Sequence, residues 1–158
     1  MKGNEKIIAK LNDLLADELT AINQYMVHAE MCEDWKYGHL YKQSRARAFK
    51  EMVHAEKLIE RILFLEGRPT VSNLKAIRIG ADVPTQHQND LALELSAFRS
   101  YNEAIKLAVE AGDNGTRELL TSILVDEEEH IDTIEAQMEQ IEHMGKENYL
   151  AQQIYRAG

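Results

Sequence analysis

The amino-acid sequence predicts an all-α fold, a four-helix bundle with one long crossover between helices two and three and a short fifth helix at the C-terminus. Three observations predict it. Apolar residues recur at three- and four-residue spacing through most of the chain. There are only two prolines, both between residues 69 and 84, so long helices are possible elsewhere. The non-periodic connections are short near both ends of the chain and long in the middle.

The first two helices have clear limits. A first helix is expected over residues 4–34, with Asn4 as its N-terminal cap. The second is expected over residues 39–66, because Gly67 can cap its end and Pro69 follows two residues later. Few residues separate these two helices, so they are expected to be antiparallel neighbours.

Residues 67–82 lack helical periodicity and form the long connection. Asp82 can cap a third helix that has Pro84 in its first turn and ends near Ala111. The GDNG sequence at 112–115 predicts a tight turn.

The fourth helix is expected over residues 115–144, and the amphipathic sequence KENYLAQQIY after Gly145 predicts the fifth. Helix two, at about 28 residues, would be about 42 Å long. A connection of about 16 residues can span about 53 Å when extended, so it can cross the whole bundle. A four-helix bundle with one end-to-end crossover is the ferritin-like arrangement, whereas an up-down bundle would not need such a link.

Composition excludes several kinds of site. The net charge of −9 at pH 7 disfavours nucleic acid as a partner. The N-terminal sequence MKGNEKIIAKLNDLL mixes charged with apolar residues, so we expect no signal peptide and no membrane span, and a cytoplasmic protein of one domain over 1–158. Cys32 is the single cysteine, which excludes an internal disulfide and a thiolate metal site. Any metal must therefore use oxygen and imidazole ligands.

Near the midpoint of each long helix, polar residues interrupt the apolar stripe. Helices one and three each place one glutamate there, and helices two and four each place a Glu-x-x-His pair. A spacing of three residues is about 300° of rotation, so both side chains of a pair can reach the same interior point. The six residues are Glu18, Glu51, His54, Glu94, Glu127 and His130.

These six residues predict a metal site. Ionised carboxylates in an apolar core are costly unless positive charge joins them. Two divalent cations would neutralise four carboxylates, and without them we expect the site to repel itself. A single Glu-x-x-His pair is usually a salt bridge or a surface pair, but two pairs with two further glutamates match the di-iron carboxylate pattern. Four carboxylates with two imidazoles suit Fe(II) or Mn(II).

Several segments make the chain resemble bacterioferritin over nearly its whole length: ELTAINQY (18–25), EMVHAEKLIERILFLEG (51–67), IGADV, DLALE (90–94), DEEEHID (126–132) and ENYL (147–150). The resemblance implies iron storage and detoxification. It makes the six residues ferroxidase ligands for two iron ions per subunit, with Glu51 and Glu127 bridging the metals. Ferric mineral would then accumulate inside a shell of twenty-four subunits built from symmetric dimers.

Met52 directly follows Glu51 and is rotated by about 200° from His54, so it faces a different surface. Such a face suits a symmetric dimer. The resemblance implies that Met52 residues of two subunits ligate one shared haem b, and that a small ferredoxin supplies electrons for iron release. A methionine that only packs at an interface is the alternative, and a haem-free bacterial ferritin stays open.

The sequence also departs from the family. Ala46 and Lys50 stand where many bacterioferritins have iron-binding residues on the inner cavity wall, which argues against an auxiliary inner site. Thr133 replaces an aromatic residue common in the family. By resemblance Tyr25 would donate a hydrogen bond to a ligand, with a plain core tyrosine as the equal alternative. A non-catalytic structural bundle is the alternative from another class. The remaining histidines are expected to be surface or hydrogen-bonded residues: His28, His39, His87 and His143.

Overall fold

The computed structural model describes residues 1–154 as helices joined by connections, with no strand in that part of the chain. Its helices are α1 (Glu5–Asp34), α2 (Gly38–Phe64), α3 (Val83–Glu110), α4 (Asn114–Met144) and α5 (Lys146–Ala151). The predicted all-α bundle with a short fifth helix is confirmed. The fifth helix ends earlier than the sequence KENYLAQQIY indicated, and Tyr155 lies outside the described residues.

Side-chain caps explain where α1, α3 and α4 begin. Asn4 and Asp82 cap α1 and α3 as expected, each accepting hydrogen bonds from backbone N–H groups of the first turn. Asp113 does the same for α4, so this helix begins at Asn114, one residue before the predicted start. An Asp or Asn side chain at this position satisfies N–H groups that have no partner within the helix.

The end of α2 differs from the prediction. Glu66, rather than Gly67, adopts the left-handed conformation, with φ of 61°. The Gly67 N–H then donates to the Ile62 carbonyl at 2.9 Å, as in a Schellman motif. Gly67 lacks a side chain for another reason: a Cβ there would lie 2.6 Å from Ile8 Cγ2 on α1. Close packing, not backbone conformation, requires the glycine.

The long helices pack as two pairs, α1 with α2 and α3 with α4, and α1 also packs against α3. The main apolar core fills one half of the bundle, and a smaller cluster of Cys32, Leu40, Val83 and Tyr149 joins α5 to the opposite end. The largest buried side chains of the main core are Tyr101, Leu11, Leu14, Leu15, Leu58, Ile62, Leu65, Leu120 and Ile123. The middle of the bundle lies between these two clusters, and polar residues are buried there.

The crossover, residues 65–82, runs along α1 from one end of the bundle to the other. Side chains of α1 at intervals of four residues or multiples of four accept its backbone N–H groups. The donor–acceptor pairs are Thr70 with Asn12, Lys75 with Thr20, Arg78 with Gln24, and Gly80 with His28. The predicted end-to-end crossover is therefore confirmed, and a polar row on α1 holds it. Within residues 1–154, no helix combines the length and apolarity needed to span a membrane.

Candidate metal centre

The six predicted residues meet midway along the bundle, one or two from each long helix. The four glutamates are each at most 1 % exposed and His54 is completely buried. The His130 side chain is the exception, at 13 % exposed. The midpoint positions inferred from the sequence therefore do converge in space.

Potential ligand atoms form two overlapping groups. One consists of Glu18, Glu51, His54 and Glu127, and the other of Glu51, Glu94, Glu127 and His130. Within each group the ligand atoms lie within 4.8 Å of one another. Glu51 and Glu127 belong to both groups, which is the placement that a bridging role requires. The arrangement offers two neighbouring cation positions with two shared carboxylates.

Most of the ligand atoms have no hydrogen-bond partner among the described residues. Buried atoms without one are Glu18 Oε2, Glu51 Oε1, His54 Nδ1, Glu94 Oε2, both carboxylate oxygens of Glu127, and His130 Nδ1. The His54 Nδ1 atom is 3.1 Å from Glu127 Oε1, and His130 Nδ1 is 3.0 Å from Glu51 Oε1, but neither contact is aligned as a hydrogen bond. Buried polar atoms are normally paired. A cluster of convergent unpaired oxygen and imidazole atoms therefore fits divalent cations.

Burial and mutual repulsion alter the carboxyl groups. Burial, reinforced by the charge of Glu51, holds the pKa of Glu18 well above its usual value. Burial and the charge of Glu127 raise the pKa of Glu94 to about 8. Burial alone would also raise the pKa of Glu127, but its contacts with Glu94 and the two histidines bring it below the usual value. Glu127 is thus the carboxylate that stays ionised most readily.

The pKa values of the two imidazoles are also raised. Burial alone would lower the pKa of His130, but contacts with Glu127, Glu51 and Glu94 raise it to about 12. The pKa of His54 is raised for the same kind of reason. Protons on these groups offset the carboxylate charge. This corrects the expectation of four bare negative charges that simply repel one another.

Two tyrosines hold two of the glutamates. Tyr25 on α1 donates a hydrogen bond from its hydroxyl to Glu94 on α3, which supports the hydrogen-bonding role over that of a plain core residue. Tyr101 on α3 donates to Glu18 Oε1 on α1 at 2.5 Å. Tyr101 was not identified from the sequence as a residue of the site. The available signal was spacing, since each tyrosine follows the glutamate of its own helix by seven residues.

Asp126 is a further residue that the sequence analysis missed. Its Oδ2 atom lies 2.8 Å from His54 Nε2 and 3.6 Å from the Lys50 ammonium. Burial alone would raise the pKa of Asp126, but the hydrogen bond with His54 and the charges of His54 and Lys50 bring it below its usual value. Asp126 therefore accepts the Nε2–H and leaves Nδ1 of His54 directed at the centre.

A second set of buried polar residues, which we call the His28–Asp90 cluster, lies beside the metal centre and consists of Gln24, His28, Arg47 and Asp90. His28 Nε2 accepts the Gly80 N–H, so its Nδ1 carries the proton and donates to Asp90 at 2.9 Å. Gln24 also donates to Asp90, at 2.8 Å. The Arg47 guanidinium lies 5.2 Å from the centre of the Tyr25 ring, and so joins the two regions.

The other histidines agree with their prediction of surface or hydrogen-bonded positions. His87 is buried, and its Nε2 lies 2.9 Å from the Tyr149 hydroxyl. His39 and His143 are exposed. None of these belongs to the two groups of potential metal ligands found among residues 1–154.

Met52 lies away from the six residues, as its rotation on α2 predicted, and is 43 % exposed. It lines a shallow apolar groove on the outer face of α1 and α2, together with Ile22, Met26, Ala29, Arg45 and Phe49. The Arg45 guanidinium lies over the Phe49 ring, 5.1 Å from its centre. An exposed apolar groove of this kind can receive a partner protein or an apolar ligand.

Comparisons with known proteins agree with this fold. The family model of the ferritin-like domain matches residues 8–144, which include all six convergent residues. The chain is 40 % identical over 156 residues to the bacterioferritin of Mycolicibacterium paratuberculosis, covering 99 % of this chain and 98 % of that protein. It is 41 % identical over 149 residues to the bacterioferritin of Brucella melitensis, covering 94 % and 92 %. The same identity over 149 residues holds for the bacterioferritin of Rhodobacter capsulatus.

Proposed function

The chain belongs to the bacterioferritin family of ferritin-like proteins, and from this we propose that it stores iron by oxidising Fe(II) at its metal centre. Two Fe(II) ions are the substrate, bound side by side by Glu18, Glu51, His54, Glu94, Glu127 and His130. Each gives up one electron, and dioxygen or peroxide accepts the pair. The convergence of buried, unpaired oxygen and imidazole atoms is the observation that carries the proposal.

The residues of the centre position the ligands, and the protons that they carry balance the charge of the site. Glu51 and Glu127 bridge the two ions, because each belongs to both ligand groups. Tyr25 and Tyr101 fix the rotation of the two glutamates that bind at the sides. Protons held on the imidazoles and carboxyls leave as the cations bind, so charge is nearly conserved in a site that is shielded from water. The ferric product then moves into the cavity of the shell as mineral.

Adjacent glutamates on α4 provide the test. Glu127 is buried in the centre and Glu128 is exposed one residue further on. We expect the parent to bind about two Fe(II) ions per subunit anaerobically and to oxidise them rapidly in air. Glu127→Ala should lose both properties and Glu128→Ala should keep them. A parent protein that binds no iron would instead support the non-catalytic structural bundle.

Storage requires a closed assembly. We propose a shell of twenty-four subunits built from symmetric dimers, since α1 and α2 expose Met26, Phe49 and Met52 on one outer face. Light scattering should then give a particle of about twenty-four times 18.1 kDa. A stable monomer that oxidises iron would contradict storage while leaving the metal centre intact. A single domain over residues 1–158 and a cytoplasmic location also remain predictions.

We further propose that Met52 from two subunits ligates a shared haem b across the dimer axis. The apolar groove around Met52 supports this, since thioethers and apolar walls suit a b-type haem. Haem, when bound, would carry electrons inward for iron release, and the family resemblance implies a small ferredoxin as their donor. Protein from haem-supplemented cells should show low-spin bis-methionine haem, with one haem shared by each subunit pair.

The haem proposal is tested by methionine replacement. Met52→Leu should lose the haem spectrum and keep iron oxidation, whereas Met144→Leu, at the exposed end of α4, should keep both. If Met52→Leu retains the same spectrum, the ligand assignment is wrong. If the parent binds no haem, the protein is a haem-free ferritin.

A further inference from the structure

The metal centre has approximate two-fold symmetry. A half-turn exchanges α1 with α3 and α2 with α4. Under it Glu18 exchanges with Glu94, and the Tyr101 hydroxyl on Glu18 exchanges with the Tyr25 hydroxyl on Glu94. The two Glu-x-x-His pairs exchange as well. Each half of the centre therefore supplies the same set of ligands and the same kind of tyrosine hydrogen bond.

The symmetry fails at the residue before each Glu-x-x-His pair. On α4 this residue is Asp126, whose Oδ2 is 2.8 Å from Nε2 of His54. On α2 it is Lys50, so no carboxylate stands at the corresponding position for His130. The Lys50 ammonium instead lies 3.6 Å from the same Asp126 oxygen. Among residues 1–154, no hydrogen bond is found to Nε2 of His130.

The two histidines therefore differ as ligands. A carboxylate on the outer nitrogen of an imidazole fixes its tautomer and orientation and makes the metal-binding nitrogen more basic. Loss of such a partner typically weakens metal binding by about 10–100-fold. His54 has this support and is completely buried, whereas the His130 side chain lacks it and is 13 % exposed.

We propose that Asp126 and Lys50 make the two metal positions unequal, so that the His54 position fills first and the His130 position holds the more weakly bound cation. Asp126 is a positioning residue that acts through His54. Lys50 neutralises the charge of Asp126. Because Lys50 occupies the position on α2 that corresponds to Asp126, His130 has no carboxylate on its outer nitrogen. This inference rests on the proposed function, because it requires both positions to bind metal.

Cobalt provides a readout that is independent of oxidation. We would grow crystals of the assembled protein with Co(II) at about one ion per subunit and refine the anomalous occupancy of each position. In the parent, most cobalt should lie beside His54. Asp126→Ala should weaken the first binding event in a calorimetric titration by about 10–100-fold and move occupancy towards His130. Asp126→Asn, which keeps an acceptor oxygen, should restore part of the preference.

Lys50→Asp tests the same inference on α2 and leaves Asp126 unchanged. It should raise occupancy beside His130, since a carboxylate then precedes both Glu-x-x-His pairs. Glu129→Gln and Lys57→Asp change charge at exposed positions on α4 and α2 and should leave the distribution as in the parent.

The possible results separate the two proposals. Equal cobalt at both positions in the parent, or a distribution that neither Asp126→Ala nor Lys50→Asp alters, would overturn the inference and leave the proposed function standing. Absence of cobalt from both positions of the parent would contradict the proposed function itself. A shift of occupancy between two positions of a folded shell is not expected from a general loss of stability.

Discussion

The metal centre and the His28–Asp90 cluster are both buried groups of histidine and carboxylate residues in one bundle, yet they differ in how their polar atoms are hydrogen-bonded. In the centre, both histidine Nδ1 atoms and several carboxylate oxygens have no hydrogen-bond partner among the described residues. In the cluster, both nitrogens of His28 are hydrogen-bonded and Asp90 accepts from two side chains. Arg47 Nη1 has no hydrogen bond there, but it lies 3.6 Å from Asp90 Oδ2 as an ion pair. Buried polar atoms that are paired stabilise a fold, whereas convergent unpaired lone pairs indicate a ligand.

The buried histidines His130 and His87 also differ in pKa. Contacts with carboxylates raise the pKa of His130 to about 12 despite burial. Burial and the positive charge of Arg47 instead lower the pKa of His87, which lies beside the cluster, to about 4. His130 thus carries a displaceable proton at neutral pH, whereas His87 is neutral. The surrounding charges, rather than burial alone, decide the difference.

The largest expected effect is on oxidation. Glu18→Ala should lower the initial rate of Fe(II) oxidation by at least about 100-fold, since even loss of an outer partner of a metal ligand costs up to that factor. His130→Ala should act in the same way. The helices should survive, because neither residue belongs to the main apolar core. Stopped-flow absorbance and circular dichroism measure the two outcomes, and a parental oxidation rate would remove these residues from the site.

The next effect is on stability. Asp90→Ala should lower the apparent free energy of unfolding by about 3 kcal/mol, because it leaves His28 and Gln24 with buried donors and Arg47 with a buried charge. Iron binding should persist. Guanidine denaturation at fixed subunit concentration measures this, with Asp132→Ala at an exposed position of α4 as control. If Asp90→Ala loses iron binding but keeps its stability, the cluster belongs functionally to the metal centre.

Proton release on metal binding tests the contrast between the metal centre and the cluster without a mutation. At pH 7 the groups whose pKa values are raised to about 8 and about 12, Glu94 and His130, hold protons that a cation must displace. Zn(II) binding should therefore release protons and weaken as the pH falls from about 8 to about 6. Calorimetry in buffers of different ionisation enthalpy counts the protons. Release should be unchanged in Asp90→Asn, and affinity independent of pH would contradict the shifted pKa values.

The smallest effect concerns the polar row on α1. Thr20→Val keeps the side-chain volume but leaves the Lys75 N–H without its acceptor, which should cost about 1–2 kcal/mol. Thr121→Val is the matched control, because that hydroxyl is exposed and bonds only within its own helix. Thermal unfolding of the two variants should differ while iron binding stays the same. Equal midpoints would show that the crossover does not depend on this row.

The sequence alone predicted the features that depend on residues close together in the chain. Helix limits follow from caps and periodicity, so Asn4 and Asp82 could be identified directly. The six convergent residues could be proposed because a carboxylate is conspicuous at an apolar position, and because a three-residue spacing puts Glu and His on one face. The length of the crossover then favoured the ferritin-like topology, because a link that long can reach the far end of the bundle and an up-down bundle would not need it.

Only the tertiary structure decided which polar residues meet across helices. Tyr101 reaches Glu18 over 83 residues of sequence and His54 reaches Asp126 over 72. Each of these contacts depends on the rotation and height of one helix relative to another, and periodicity within a helix does not contain that information. Asp126 reads as an ordinary charged residue in the sequence, and Lys50 was notable there only as a departure from the family. Their unequal relation to the two histidines exists only because packing brings α2 and α4 to the same pair of metal positions.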